Sequence, residues 1–276
     1  MGISDRDLWI ALVIGNSRWH WGAFKGDRWL GSWHTRHLTA AQTDALQQSR
    51  FALPVWQQLG IETVLPRHPD GGGQELPELW MASVVKAPLT WLANYASIHP
   101  IATVQVPLQN TYPTLGVDRA LALVGAGDVW GWPVLVIDCG TALTFTAGAD
   151  QRLIGGAILP GLRSQFRALY TDTDQLPEIA FSPNRWPPRW ATNTPEAIAS
   201  GILHTQLAGI GDFIQAWEAE WFQGAIVLTG GDSTAIYRAM QRQTPSLAQR
   251  VRVDPDLGFW GMRVCRRQHL QQLERL

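Results

Sequence analysis

Two stretches of the chain open in the same way, and that repetition constrains the fold more than any other feature. Residues 11–17 read ALVIGNS and residues 134–145 read VLVIDCGTALTF. Each sends an apolar, β-prone run into a glycine turn followed by a hydroxyl side chain. Behind the first turn, 18–24 and 28–35 predict a hairpin around Lys25-Gly26-Asp27. Behind the second, 142–148 and 153–159 predict another around Gly148-Ala149-Asp150. The distance from turn glycine to third strand agrees to within about one residue, although few letters are shared. A repeated strand–turn–strand–turn–strand start predicts two copies of one α/β unit. Gly131-Trp132-Pro133 marks the divide, giving domains at 1–130 and 131–276.

A chain of 276 residues, 46% hydrophobic, has the length and apolar content for two such cores. Twenty-two Lys+Arg against 23 Asp+Glu leave a net charge of −1, which argues against a nucleic-acid partner. Two cysteines are too few for a disulfide framework and point to free thiols in a reducing, cytoplasmic compartment. No basic-then-apolar leader and no membrane-length apolar run is present, so no membrane role is expected. Between the repeats, the pattern predicts a helix at 39–59, a polar loop at 66–77 and a strand at 79–85. A helix opening at Pro88, a strand at 103–107 and a helix at 116–130 follow. The second half predicts helices at 162–170, from 195 towards 222, at 234–241 and at 255–273, with strands at 225–228 and 251–253. Asn193 or Thr194 caps the long helix. Many of the 15 tryptophans alternate as strand side chains do.

Chemistry concentrates at strand ends. Gly15-Asn16-Ser17, Asp138-Cys139-Gly140-Thr141 and Thr229-Gly230-Gly231 each place glycine where a strand turns, so that backbone amides can approach an anion. Taken singly, each is equally well a capped turn. Together they point to a nucleotide in a cleft between two domains, and none is a Walker loop or dinucleotide fingerprint. Tyr112-Pro113 and Gly116-Val117-Asp118-Arg119 lead into a helix. Asp118 reads either as a first-turn acid favoured by the helix dipole or as a base for an attacking alcohol. Arg119 suits a carboxylate or a transferring phosphoryl group. The seven histidines are scattered, without metal-ligand spacing.

In order along the chain come IGNS (14–17), YPTLGVDRALALVGA (112–126), VIDCGTALTF (136–145) and LIGGAILPGLRSQFRALY (153–170). QLPEI (175–179), NTPEAIASGI (193–202), LTGGD (228–232) and VDPDLGFWGM (253–262) follow. As a set they resemble the type III pantothenate kinases of the acetate-and-sugar-kinase/actin-like superfamily. The resemblance implies two duplicated ribonuclease H-like, actin-like ATPase domains, a homodimer, and ATP-dependent phosphorylation of pantothenate in coenzyme A biosynthesis. It implies Mg²⁺ or a similar divalent cation, and K⁺ or NH₄⁺. By matched position Asp118 is the base, and Tyr112, Gly116, Arg119 and Thr194 belong to the substrate site. Gly15, Asn16, Ser17, Gly140, Thr141, Gly230 and Gly231 face ATP, and Asp138 lies near the monovalent cation.

One position departs. The family's first motif reads Asp-x-Gly-Asn-Thr, and the acid's place is taken here by Val13, with Ser17 for Thr. Ser keeps the hydroxyl, whereas Val cannot orient a divalent ion. Asp5 and Asp7 are the nearest alternative acids. The departure keeps a second reading open, a non-enzymatic regulatory or interaction protein on the same scaffold.

Overall fold

The run predicted at the first repeat is β1 (Leu8–Ile14), the middle strand of a five-stranded sheet in a computed structural model of the chain. The structure describes residues 8–65, 76–85, 92, 95–180, 182 and 185–275. Asp5, Asp7, most of the 66–77 loop and the expected helix start at Pro88 lie outside these. Two units emerge: Met1–Pro107 with Tyr112–Gly125 and Gly258–Leu276, and Leu108–Thr111 with Ala126–Leu257.

In the first unit, β1 lies between β2 (Trp19–Lys25), antiparallel, and β4 (Glu78–Ser83), parallel. The sheet order is β3-β2-β1-β4-β5, with β3 at Arg28–Thr35 and β5 at Ile98–Pro100. Ile10, Leu12 and Ile14 join Trp19, Trp21, Trp33 and Trp56 in one core, so most of the alternating tryptophans of this hairpin point inward. On the other face Trp9 stacks on Phe24 at 4.2 Å. Burial on both faces is why β1 reads as an unbroken apolar run.

The helix expected at 39–59 is two: α1 (Ala40–Gln48), with a Thr39–Gln42 capping box, and α2 (Leu53–Gln58). Arg50 and Phe51, both at φ 57°, turn the chain between them, and neither residue type signals a break. The segment predicted as a strand at 103–107 contains a 3₁₀ turn, Thr103–Gln105, and the parallel partner of β4 is β5 just before it. Three residues ending in proline are too short for a periodic signal, and proline suits an edge.

The second unit repeats the connectivity. Its order is β10-β9-β6-β7-β8, with β6 (Val134–Cys139), β7 (Ala142–Ala149), β8 (Arg152–Pro160), β9 (Ala225–Thr229) and β10 (Arg252–Val253). Read from β8, the order is third, second, first, fourth, fifth strand, as in the first unit. The β7–β8 turn falls later than expected, at Asp150 and Gln151, whose φ values of 50° and 60° suit a two-residue hairpin loop. Helices α4 (Leu162–Thr171), α5 (Thr194–Glu220) and α6 (Ser233–Gln243) contribute Phe166, Ile202, Ile210, Ile236 and Met240 to a core with Ile137, Phe145 and Leu228. A short α7 (Pro245–Ala248) follows. Asn193, not Thr194, caps α5, its side chain accepting from Glu196 N at 3.0 Å.

Helix α3 (Val117–Trp130) carries residues of both units, those to Gly125 in the first. The last helix, α8 (Leu257–Leu273), groups with the first unit from Gly258 onward. There Arg266, 2% exposed along its side chain, pairs with Glu78 at 2.7 Å. Among the described residues no helix is long and apolar enough to cross a membrane.

Candidate active site

Three segments of the second unit meet at the end of β6. Asp138 is its penultimate residue, flanked in register by Thr144 of β7 and Thr229 of β9. Gly140 N donates to Ala142 O at 3.1 Å and tightens the turn. Asp232 N donates to Cys139 O at 2.9 Å, drawing the β9–α6 turn onto β6. The start of α4 comes equally close, since Gly161 N and Ser164 Oγ both donate to Thr141 O, at 3.0 and 2.9 Å.

Glycine is required at two of these places. Gly230 sits at φ 86°, and a Cβ there would overlap Asp138 Oδ1 and stand 2.7 Å from the Cys139 carbonyl carbon. A Cβ on Gly161 would overlap Gly140 O and lie 2.8 Å from Thr141 O. Gly231 meets no atom within 4 Å, leaving that side of the turn open. Gly140, Thr141, Gly230 and Gly231 are thus brought together around Asp138. Burial, then the charges of Asp138 and Asp232, push the Cys139 thiol well above its ordinary range, so both carboxylates act on one small volume.

The first unit has a matching turn, Gly15 N donating to Arg18 O at 3.0 Å with Asn16 and Ser17 exposed. Val13 holds the strand position that Asp138 holds in β6, and its neighbours in register are His20 and Ala82. The His20 ring lies 4.7 Å from that of His34. Burial, His34 and Arg18 together lower the His20 pKa to about 4. The equivalents of Asp, Thr and Thr are therefore Val, a neutral His and Ala.

Also in the first unit, Gly116 and Asp118 open α3. A Cβ on Gly116 would stand 2.5 Å from Asp118 Oδ1, so its absence lets the carboxylate fold over the helix start. Asp118 Oδ1 accepts from Arg119 N at 2.8 Å. Burial raises the Asp118 pKa, against smaller lowering contributions from the backbone N–H and charge of Arg119. Arg119, 7% exposed, donates through Nη1 to Tyr112 Oη at 2.9 Å. Tyr112, Gly116, Asp118 and Arg119 form one constellation.

Thr194 begins α5. It is exposed at the first turn of α5, on the rim of a cavity of about 770 Å³ lined by Gln165, Leu169, Leu176, Ile198 and Ile202. Asp254, shortly before α8, accepts from Asp256 N at 3.0 Å and Trp130 Nε1 at 3.3 Å, which gives it a structural role. Arg163 was not among the expected residues. Its Nη2 lies 3.4 Å from Asp232 Oδ1, and Asp232 makes no side-chain cap to α6.

The two strand ends differ in what they fit. At Asp138 a carboxylate sits in a cradle that a Cβ on Gly230 would fill, an oxygen donor suited to a hard cation. At Val13 the strand position offers no oxygen donor. Among the described residues no group of three or more His, Cys, Asp or Glu forms a metal site.

Two five-stranded sheets of one connectivity, each with a glycine turn at the end of its middle strand, define an actin-like α/β fold. Solved structures agree on the fold. One, from Campylobacter jejuni and described as a Baf family transcriptional activator, has a TM-score of 0.59 at 16% identity, covering 94% of this chain and 98% of its own. The activator of 2-hydroxyisocaproyl-CoA dehydratase from Clostridium difficile, with bound ADPNP, has a TM-score of 0.50 at 13% identity and covers 97% of both chains. The family model for type III pantothenate kinase matches residues 9–216. Type III pantothenate kinases of Nostoc sp. and Synechococcus sp. (strain JA-3-3Ab) are 44% and 40% identical to it, covering 92% and 96% of this chain and 92% and 95% of their own. The chain belongs to the type III pantothenate kinase family.

Proposed function

We propose that this protein transfers the γ-phosphoryl group of ATP to the primary hydroxyl of pantothenate. The products are 4′-phosphopantothenate and ADP, and the reaction is the first step of coenzyme A biosynthesis. The observation that carries the reading is near-full-length identity of 44% to a type III pantothenate kinase.

Asp118 accepts the hydroxyl proton as the oxygen attacks the γ-phosphorus and the bond to the β-phosphate oxygen breaks. Burial raises its pKa above the ordinary carboxylate value, which makes it a stronger base than a free aspartate. Arg119, oriented by Tyr112, offers a fixed positive charge to the substrate carboxylate or to the transferring group. The amides around Gly140, Thr141, Gly230 and Gly231 receive the donor phosphates, and Gly15, Asn16 and Ser17 supply the matching turn. This division suits phosphoryl transfer, which depends mainly on alignment and charge neutralisation.

A monovalent cation, K⁺ or NH₄⁺, at Asp138 would offset phosphate charge. β1 supplies no carboxylate for Mg²⁺, so the divalent ion is assigned to the nucleotide rather than to Val13. Thr194 is assigned to closing the substrate pocket in a homodimer. The exposed Ile154 and Ile158 of β8, at 49% and 63%, offer apolar surface of the kind dimers cover.

Val13 favours a second reading, a regulatory or interaction protein on this scaffold. Incubation of the purified protein with ATP, Mg²⁺, K⁺ and pantothenate, followed by ³¹P NMR, separates the two. A new phosphomonoester on pantothenate, absent with other small acids and polyols, is expected. Phosphorylation of a different alcohol would reassign the substrate, and none at all would favour the second reading.

A further inference from the structure

At the end of β6 two carboxylates face a turn whose assigned ligand is a polyanion. Asp138 and Asp232 both act on Cys139, so their charges meet at this turn. A polyphosphate seated there gains from a positive side chain within reach. Arg163 lies in the first turn of α4, two residues past the glycine whose missing Cβ lets that helix touch the Gly140–Thr141 carbonyls. Ser164 of the same turn is tied to Thr141 O, so Arg163 is anchored beside the turn.

The Arg163 side chain is 74% exposed, whereas that of Asp232 is 10% exposed. Their contact is one long 3.4 Å approach through Nη2, not the bidentate fork that a structural Arg–carboxylate pair makes. A pair this open is weak, and its guanidinium is available to a better anion. Asp232 stays in place without it, since its backbone N is bonded to Cys139 O.

We propose that Arg163 is a nucleotide-binding residue, resting on Asp232 in the free protein and passing to the polyphosphate of ATP when the donor occupies the Gly140–Thr141 turn. The proposal rests on the reading of that turn as the donor-phosphate seat. The contact concerns phosphate charge, so its effect grows from AMP to ADP to ATP and leaves pantothenate untouched.

The test measures ATP binding to the full chain by calorimetry, with ADP and AMP by competition, for wild type, Arg163→Gln, Arg163→Lys and Arg167→Gln. Loss of one charge-assisted contact weakens ATP about tenfold in Arg163→Gln. AMP is expected to shift by less than about twofold, because the β- and γ-phosphates carry the contact. Arg163→Lys should fall between, since it keeps the charge without the fork. Arg167→Gln, one turn further along α4, should match wild type. In kinetics the KM for ATP rises while the KM for pantothenate does not. Equal weakening of ATP and AMP, or wild-type ATP affinity in Arg163→Gln, would overturn the proposal. A wild-type protein that binds no ATP would instead overturn the reading of the turn itself, and the proposal with it.

Discussion

Replacing Gly161 by alanine isolates the close approach of α4 to the β6–β7 turn. Gly161 sits at φ −68° and ψ 171°, which alanine adopts freely, so any effect comes from the added methyl. That methyl would overlap Gly140 O and stand 2.8 Å from Thr141 O and 3.1 Å from the Thr141 carbonyl carbon. Both obstacles are backbone, so α4 or the turn must move by roughly an ångström. Overpacking of this kind costs about 1–3 kcal/mol. For a chain of this size the midpoint of thermal unfolding should fall by roughly 3–10 °C. A displacement of about 1 Å in a positioning group costs on the order of 100-fold in rate. Thermal melts and kcat/KM for ATP read the two effects separately. Gly155→Ala, where a Cβ meets nothing within 4 Å, is the control and should change neither. Destabilisation with wild-type kinetics would show that the turn does not seat the donor phosphates. An unaltered melt would refute the packing argument itself.

Asp118→Asn should lower kcat by about 10²–10⁴-fold. Burial raises the Asp118 pKa, so ionisation disfavours the folded state above the ordinary carboxylate range, and that penalty is absent at lower pH. The Asn variant should therefore melt no lower than wild type at neutral pH, and a lower melt would contradict the assignment of burial as the dominant cause. In wild type the rate should decline as pH falls through the raised Asp118 pKa, and a profile flat through the acidic range would remove Asp118 as the base. Val13→Asp should create Mn²⁺ affinity in nucleotide-free protein, detected by electron paramagnetic resonance, where wild type shows none at β1. It should also lift the His20 pKa from about 4, because a carboxylate beside an imidazole favours its charged form. A His20 titration unmoved in NMR would refute the placement of His20 beside residue 13.

The duplicated unit was legible because both middle strands are buried on two faces and end in glycine, features that short sequence windows carry. The connectivity beyond the hairpins was less so. β5 is three residues long, and α1 and α2 part at Arg50 and Phe51, whose left-handed backbone has no residue-type signature. Among site residues, Tyr112, Gly116, Asp118 and Arg119 are near neighbours in sequence, and the structure joins them. The glycines around Asp138 were visible as turns, but why Gly230 and Gly161 must be glycine depends on contacts with residues far along the chain. Arg163 was missed for the same reason, since its partner Asp232 is remote in sequence and reads alone as a helix cap.

Central to this account is that the chain uses ATP to esterify pantothenate. The most direct measurement follows ADP and phosphopantothenate together, by mass spectrometry, in purified protein supplied with ATP, Mg²⁺ and pantothenate, with and without K⁺. The expected result is one phosphoester per ADP, pantothenate-dependent and faster with K⁺. ADP release that ignores pantothenate, or no ADP release in either salt, would contradict it.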